Sequence, residues 1–420
     1  MKNKINLKKT ILAGIVGNLM EWYDFAIYGY MVPIVGSLFF PSDSQIATII
    51  ATFSAFAAGY FARPFGGIIF GHIGDRYGRR LVLTISITLM GLSTFLIGLL
   101  PTTIQIGATA AVLMVILRIL QGISVGGEYT GSITFVLEHS VPNRRGFCTS
   151  WITVGGTTGF ILGSGVGTLM NVLFTPEQLS GWAWRLPFLS GIVIAIFGYL
   201  VRRHVPEPPR PAGITFQSAP VVTAVRDYWQ PMLQLMGLTV AGSAAFYMMF
   251  VYANTYLTKH MHVASGQVMK INTFNLVVLT LTTPLAGFAS DKLGRKPVLI
   301  TGMLGLVFLS YPLFWMMHNA TDTLIFIGQC GFAVLIGLIG GANPAAQAEI
   351  LPRKVRVSAF SMAYSLCLAL FGGTTPLIAT YLLERTADDF APIGYLMGLS
   401  VVSLITALSI PETRPKREYR

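Results

Sequence analysis

Five ionisable side chains stand inside apolar runs of this 420-residue chain: Glu21, Asp24, Arg63, Arg118 and Glu128. An ionisable group at mid-membrane costs several kcal/mol, so by default it faces a cavity or a partner. Glu21 falls about 11 residues into its run, ~16 Å along a helix and near the midplane. Asn18, Glu21, Phe25 and Tyr28 share one helical face, with Asp24 beside them. A carboxylate placed there exchanges a proton, meets a substrate amine, or is permanently paired to Arg63 or Arg118. Arg118 shares a face with Gln121, Gly122 and Tyr129, and Glu128 sits at its flank. Protonating a carboxylate beside an arginine in a low-dielectric cavity releases the arginine to bind an anionic group; a static ion pair is the alternative. Arg63, next to Pro64, either binds a carboxylate or pairs with Glu21 or Asp24. Glu21, Asp24 and Glu128 are thus the candidates for proton coupling. Two arginines face three carboxylates, one negative charge in excess. A cavity that is neutral once a proton is bound suits a zwitterion, whereas a di- or tricarboxylate brings uncompensated charge that is costly to desolvate.

The second half has almost no intramembrane charge and offers Tyr247, Tyr252, Asn254, Asn272, Asn275, Asn343, Gln347 and Tyr364 instead. Such groups suit neutral recognition and a cation–π contact to an amine. With Arg63 and Arg118, the expected substrate-facing set is Trp22, Tyr28, Gln121, Tyr129, Trp151, Tyr247 and Asn343. The six histidines fall near helix ends and are not expected to relay protons. Most Met and Phe residues are expected to pack or to face lipid.

These residues need membrane-spanning elements to hold them. Hydrophobic residues make up 53% of the chain and charged ones 11%, with a mean hydropathy of +0.65, where soluble domains carry about 25% charge. Twelve spans are expected, near 10–38, 46–70, 81–100, 106–138, 146–174, 184–203, 229–258, 266–290, 298–318, 323–350, 356–384 and 391–410. The apolar run after Lys9 carries Glu21 and Asp24 and is too long for a signal peptide, so it reads as a retained first helix. With the termini and the even-numbered connections on the cytoplasmic side, 23 of the 29 lysines and arginines lie there. That asymmetry fixes the orientation and explains the net charge of +12 without nucleic acid. Cys148, Cys330 and Cys367 are too scattered for a disulfide framework or a metal site. The sequence holds no nucleotide loop and no nucleophile–base pair, so an enzyme is not expected.

Between the second and third spans lies a charged turn, Gly71-His-Ile-Gly-Asp-Arg-Tyr-Gly-Arg-Arg80. A weaker copy, Gly287-Phe-Ala-Ser-Asp-Lys-Leu-Gly-Arg-Lys296, puts Asp291 216 positions after Asp75. Val205-Pro-Glu-Pro and Ile410-Pro-Glu-Thr give a second repeat, Glu207 and Glu412 being 205 apart. The molecule is therefore expected to be an all-α membrane protein of two pseudosymmetric six-helix bundles, residues 1–204 and 229–420, joined by a proline-rich cytoplasmic linker at 205–228.

Several stretches carry a resemblance. Gly71–Arg80 resembles the loop between helices two and three of the major facilitator superfamily. Arg118-Ile-Leu-Gln-Gly-Ile-Ser-Val-Gly-Gly-Glu128 is similar to its fourth-helix motif, and Gly155–Gly167, with six glycines, to its fifth-helix gating segment. Gly17-Asn-Leu-Met-Glu-Trp-Tyr-Asp24, Ala62-Arg-Pro-Phe-Gly-Gly67, Gly126-Gly-Glu-Tyr-Thr-Gly131 and Trp184-Arg-Leu-Pro-Phe188 resemble the metabolite:proton symporter branch. Arg145-Gly-Phe-Cys-Thr-Ser-Trp151 and Gly159-Phe-Ile-Leu-Gly-Ser-Gly165 are most similar to its proline/betaine members. The resemblance implies a symporter in the bacterial inner membrane, both termini cytoplasmic, importing proline, glycine betaine or a related zwitterion. An organic acid such as 2-oxoglutarate, citrate or shikimate is the alternative. The proton gradient would drive it without a cofactor, the protein acting as a monomer in lipid. Gly71, Asp75, Arg76, Gly78, Arg79, Arg144, Arg145, Asp291 and Arg295 are expected to gate the pathway rather than bind solute.

Overall fold

The structure, a computed structural model, describes residues 7–77, 79–193, 196, 200, 220–319, 321–353 and 355–414, and only the backbone of residues 7–10, 12–14, 16, 71–77, 79–84, 220 and 221. Lipid offers no hydrogen bonds, so an apolar run of this length must satisfy its own backbone, and a helix does that within one segment. The helices are α1 Leu7–Phe39, α2 Gln45–Tyr77, α3 Arg79–Leu99, α4 Thr109–Ser124, α5 Glu128–His139, α6 Arg145–Leu173, α7 Arg185–Leu189, α8 Pro220–Asp227 and α9 Trp229–Tyr247. They continue with α10 Ser265–Leu293, α11 Arg295–His318, α12 Asp322–Ile350, α13 Arg356–Cys367, α14 Thr375–Thr386 and α15 Ala391–Ser409. Among the described residues, nine helices are long and apolar enough to cross a membrane. α1 and α3, of 33 and 21 residues, coincide with the first and third expected spans, and the sixth is described only in part.

Three expectations change. The first charged turn is not a loop, because α2 runs through to Tyr77 and α3 resumes at Arg79. In the second copy Asp291 likewise sits in the last turn of α10, and the reversal falls on Gly294 alone, at φ 112°. Only glycine adopts that backbone without strain. The fourth span is not continuous either. Val125–Gly127 breaks it, so Glu128 opens a new helix instead of continuing the face of Arg118. An acidic residue in a first turn is favoured by the partial positive charge of the helix start. The expected linker ends in a helix, α8, whose Ala224 is buried; residues 201–219 lie outside the described residues.

Small residues set the helix crossings. A Cβ on Gly122 would lie 1.8 Å from the Gly59 carbonyl oxygen, so α4 and α2 touch backbone to backbone. The six-glycine segment of α6 does the same against α1, a Cβ on Gly159 meeting the Leu19 oxygen at 2.4 Å. α6 also packs along α10 of the second bundle. Wide helical turns at Met248–Tyr252, Tyr256–His260 and Leu368–Gly372 interrupt the second bundle; such turns often mark functional sites.

Candidate functional site

α1 and α2 bring Glu21 and Arg63 together as a buried ion pair, Arg63 Nη2 donating to Glu21 Oε1. This is one of the pairings that the residue types alone left open. The Arg63 guanidinium carbon lies 5.5 Å from the Trp22 and Phe25 ring centroids and 5.4 Å from that of Tyr60. Its Nε and Nη1 have no hydrogen-bond partner among the described residues.

Arg118 is linked to Asp24 through an amide. Its Nη1 donates to Gln121 Oε1 at 2.6 Å, and Gln121 Nε2 donates to Asp24 Oδ2 at 2.8 Å and to Thr94 Oγ1 at 2.7 Å. Thr94 also donates to Asp24. Arg118 otherwise rests on rings, 4.3 Å from the Tyr28 centroid and 4.9 Å from that of Phe25. Glu21, Asp24, Arg63 and Arg118 are all at least 98% buried. Glu128, past the helix break, is half-buried. Among the described residues, the buried charges of this layer therefore balance, two against two, rather than summing to minus one.

Beside this ionic layer lies a cavity of about 120 Å³ between the bundles, with walls from both. Of the expected substrate-facing residues, Trp22, Tyr129, Tyr247 and Asn343 line it; Arg63, Arg118, Tyr28, Gln121 and Trp151 do not. The Tyr28 hydroxyl is spent on the Thr52 carbonyl, and Trp151 packs edge-on against Phe147. Sequence reasoning missed Phe160 and Phe246, which meet edge-on across the cavity at 4.7 Å. Tyr129 stacks on Tyr364 of the other bundle at 4.9 Å. Two amides are held by the second bundle, Asn343 Nδ2 by the Leu238 carbonyl (3.1 Å) and Gln347 Nε2 by Thr239 Oγ1 (2.7 Å). Trp22 lines the cavity and its ring centroid is 5.5 Å from the Arg63 guanidinium carbon, so one ring joins the cavity wall to the Glu21–Arg63 pair.

At the end of the molecule where α1 begins and α10 ends, Asp291 accepts from the backbone N–H groups of Gly146 (2.9 Å) and Phe147 (2.8 Å), capping α6 from the other bundle. Arg295 Nη1 donates to Asp291 at 2.6 Å, and Arg295 Nε to Glu349 at 3.3 Å. Arg145 approaches Glu349 at 3.9 Å, and Arg356 meets Glu138 at 3.0 Å. Arg144 is exposed, outside these bridges. The side chains of Gly71, Asp75, Arg76 and Arg79 lie outside those described, as does Gly78 altogether. Glu138 and Glu349 were not singled out from sequence, yet a signal existed: each ends its helix, and they are 211 positions apart, as are Arg145 and Arg356. Glu412, known from sequence only as a repeat marker, accepts from the N–H groups of Arg295 (2.8 Å) and Lys296 (3.0 Å), capping α11. At the opposite end Asn272 Nδ2 donates to the hydroxyl of Tyr30 at 3.1 Å, and Ser164 meets Thr273 at 2.6 Å, so the bundles are bridged on both sides of the cavity.

Comparisons with known proteins agree with this architecture. Residues 9–211 match the family described as Sugar (and other) transporter, and residues 236–420 match the Major Facilitator Superfamily. The chain is 33% identical to the glycine betaine/proline/ectoine/pipecolic acid transporter OusA of Dickeya dadantii, over 98% of this chain and 84% of that one. It is 34% identical to the proline/betaine transporter of Salmonella typhimurium, over 97% and 84%. Among solved structures, the proton:xylose symporter XylE bound to 6-bromo-6-deoxy-D-glucose superposes with a TM-score of 0.77 at 18% identity, over 97% of this chain and 96% of the other. That last likeness concerns the fold.

Proposed function

The chain belongs to the major facilitator superfamily, and from that membership we propose that it is a proton-coupled symporter importing a small zwitterion such as proline or glycine betaine by alternating access. It is a multi-pass membrane transporter and not an enzyme. The carrying observation is the Glu21–Arg63 ion pair set one aromatic ring behind a cavity whose walls come from both bundles. Protonation of Glu21 neutralises one partner and leaves the positive charge of the guanidinium to favour a solute carboxylate in the cavity. The aromatic walls at Trp22, Tyr129, Phe160, Phe246 and Tyr364 supply faces for the cationic nitrogen. Balanced buried charges support the choice of solute. A zwitterion enters without adding net charge, whereas citrate brings charge that nothing in the second bundle's wall offsets.

In this reading the bundles are 1–204 and 229–420 with 205–228 as linker, and they rock about the cavity. Asp291, Arg295, Arg145 and their bridges latch one side, with Asp75 and Arg79 as counterparts in the first bundle. Glu21 is the first candidate for the coupled proton, Asp24 the second; Glu128 follows because it stands outside the fully buried set. The chain works as a monomer in the bacterial inner membrane with both termini cytoplasmic, driven by the proton gradient alone and without nucleic acid or cofactor. Proteoliposomes decide the matter. Uptake of labelled proline or glycine betaine should rise with an inward proton gradient and compete with unlabelled zwitterions. Competition by 2-oxoglutarate or citrate with none by proline or betaine, or full uptake after the gradient is collapsed, would overturn it.

A further inference from the structure

The hydroxyls of Tyr60 and Tyr247 meet across the two bundles at 2.5 Å, both side chains buried. Tyr247 is part of the cavity wall and Tyr60 is not. Tyr60 lies one turn before Arg63 on α2, and the Arg63 guanidinium carbon is 5.4 Å from its ring centroid. Gly373 of the second bundle closes on the same residue, since a Cβ there would fall 2.4 Å from the Tyr60 ring. A first-bundle side chain is thus clasped by two elements of the second bundle, and it carries Arg63 on its ring.

We infer that Tyr60 is a positioning residue, and that the Tyr247–Tyr60 contact is the link by which occupancy of the cavity reaches the Glu21–Arg63 pair. The inference rests on the proton-coupled reading above. Two phenols hold two hydroxyl hydrogens, and the bond between them uses one. The hydroxyl that accepts keeps a hydrogen for another partner. An anionic oxygen in the cavity takes that hydrogen from Tyr247, because a bond to a charged acceptor is about twice as strong as a neutral one. Tyr247 then accepts from Tyr60, and the direction of the pair is set by the solute. The Tyr60 ring is held against Arg63 in that arrangement. The link breaks when the bundles part at this level, so it exists only while the cavity is closed there.

The test uses full-length protein in proteoliposomes with labelled glycine betaine or proline, comparing wild type, Tyr60→Phe, Tyr247→Phe and the double variant. Two quantities are read: exchange without a pH gradient, and accumulation with one. Tyr60→Phe should keep exchange within about twofold with KM little changed, while accumulation falls by about tenfold, the order set by one buried hydrogen bond. Tyr247→Phe should lose accumulation similarly and also raise KM. The double variant should accumulate no less than Tyr247→Phe, because both hydroxyls serve one link. Wild-type accumulation by Tyr60→Phe would sink the inference alone. So would exchange and accumulation falling in proportion in both single variants, which is how a purely structural bond behaves. A wild type that ignores the pH gradient would remove the reading beneath the inference as well.

Discussion

Asp291→Asn is the sharpest perturbation of the latch. The carboxylate takes three hydrogen bonds: Oδ1 accepts from the Gly146 N–H and from Arg295 Nη1, and Oδ2 from the Phe147 N–H. An asparagine oxygen can replace Oδ1, but its amide then turns a donor toward the Phe147 N–H, so one bond is lost and two lose their charge. A hydrogen bond to a charged group contributes ~1.5–3 kcal/mol and a neutral one about 1 kcal/mol. The Arg295 bond lies within the second bundle and counts equally in both states, so the two N–H bonds to α6 set a net loss of about 2–5 kcal/mol from the closed state. At ~1.4 kcal/mol per tenfold, the balance between closed and open forms moves by roughly 30- to 4,000-fold. Arg295 keeps Glu349 at 3.3 Å, so the fold survives the change. Spin labels at the exposed Asn143 and Arg353, one on each bundle near the latch, should report a longer distance in the variant. Transport should slow while equilibrium binding stays within a few-fold. An unchanged distance distribution with a large loss of binding would refute the reasoning, because it would make Asp291 a solute ligand.

Other outcomes follow from the same contacts. Glu21→Gln should keep solute exchange and lose pH-driven accumulation; a variant that still concentrates solute moves the proton to Asp24. Gly122→Ala forces a methyl into the Gly59 carbonyl and should cost ~3 kcal/mol or more, seen as a lower melting temperature. Gly131→Ala, where nothing lies within 4 Å, should match or exceed wild-type stability. Glu138→Gln should shift the open–closed balance far less than Asp291→Asn, since Glu138 is 40% exposed and such pairs contribute about 0–1 kcal/mol.

The spans were legible because lipid imposes one length and one secondary structure on an apolar run. α6 begins and ends within one residue of its expected bounds, and α13–α14 together close within two. The repeats at Asp75 and Asp291 were legible because identical chemistry recurred at half the chain length. Partner choice was not. Glu21, Asp24, Arg63 and Arg118 all read as buried, but which carboxylate meets which arginine depends on how deeply α1, α2 and α4 slide past one another. The glycine contacts between backbones set that register, and no periodicity within one helix reports it. Glu128 was misplaced for a local reason: its ten-residue offset from Arg118 means a shared face only if the helix is unbroken, and Val125–Gly127 breaks it. Trp151 was an aromatic on a plausible helix, but it shares a face of α6 with Phe147 one turn earlier and is not among the residues that line the cavity.

The bridges Arg145–Glu349 and Arg356–Glu138 exchange roles between the bundles. In each, an arginine opening one helix reaches the acid that ends a helix of the other bundle, at equivalent positions of the repeat. A contact made twice in this reciprocal way is the signature of a two-fold interface between identical subunits. One acid and one arginine, specified once in a six-helix unit, yield both bridges when that unit faces a second copy of itself. The latch thus has the geometry of a homodimer interface inside a single polypeptide.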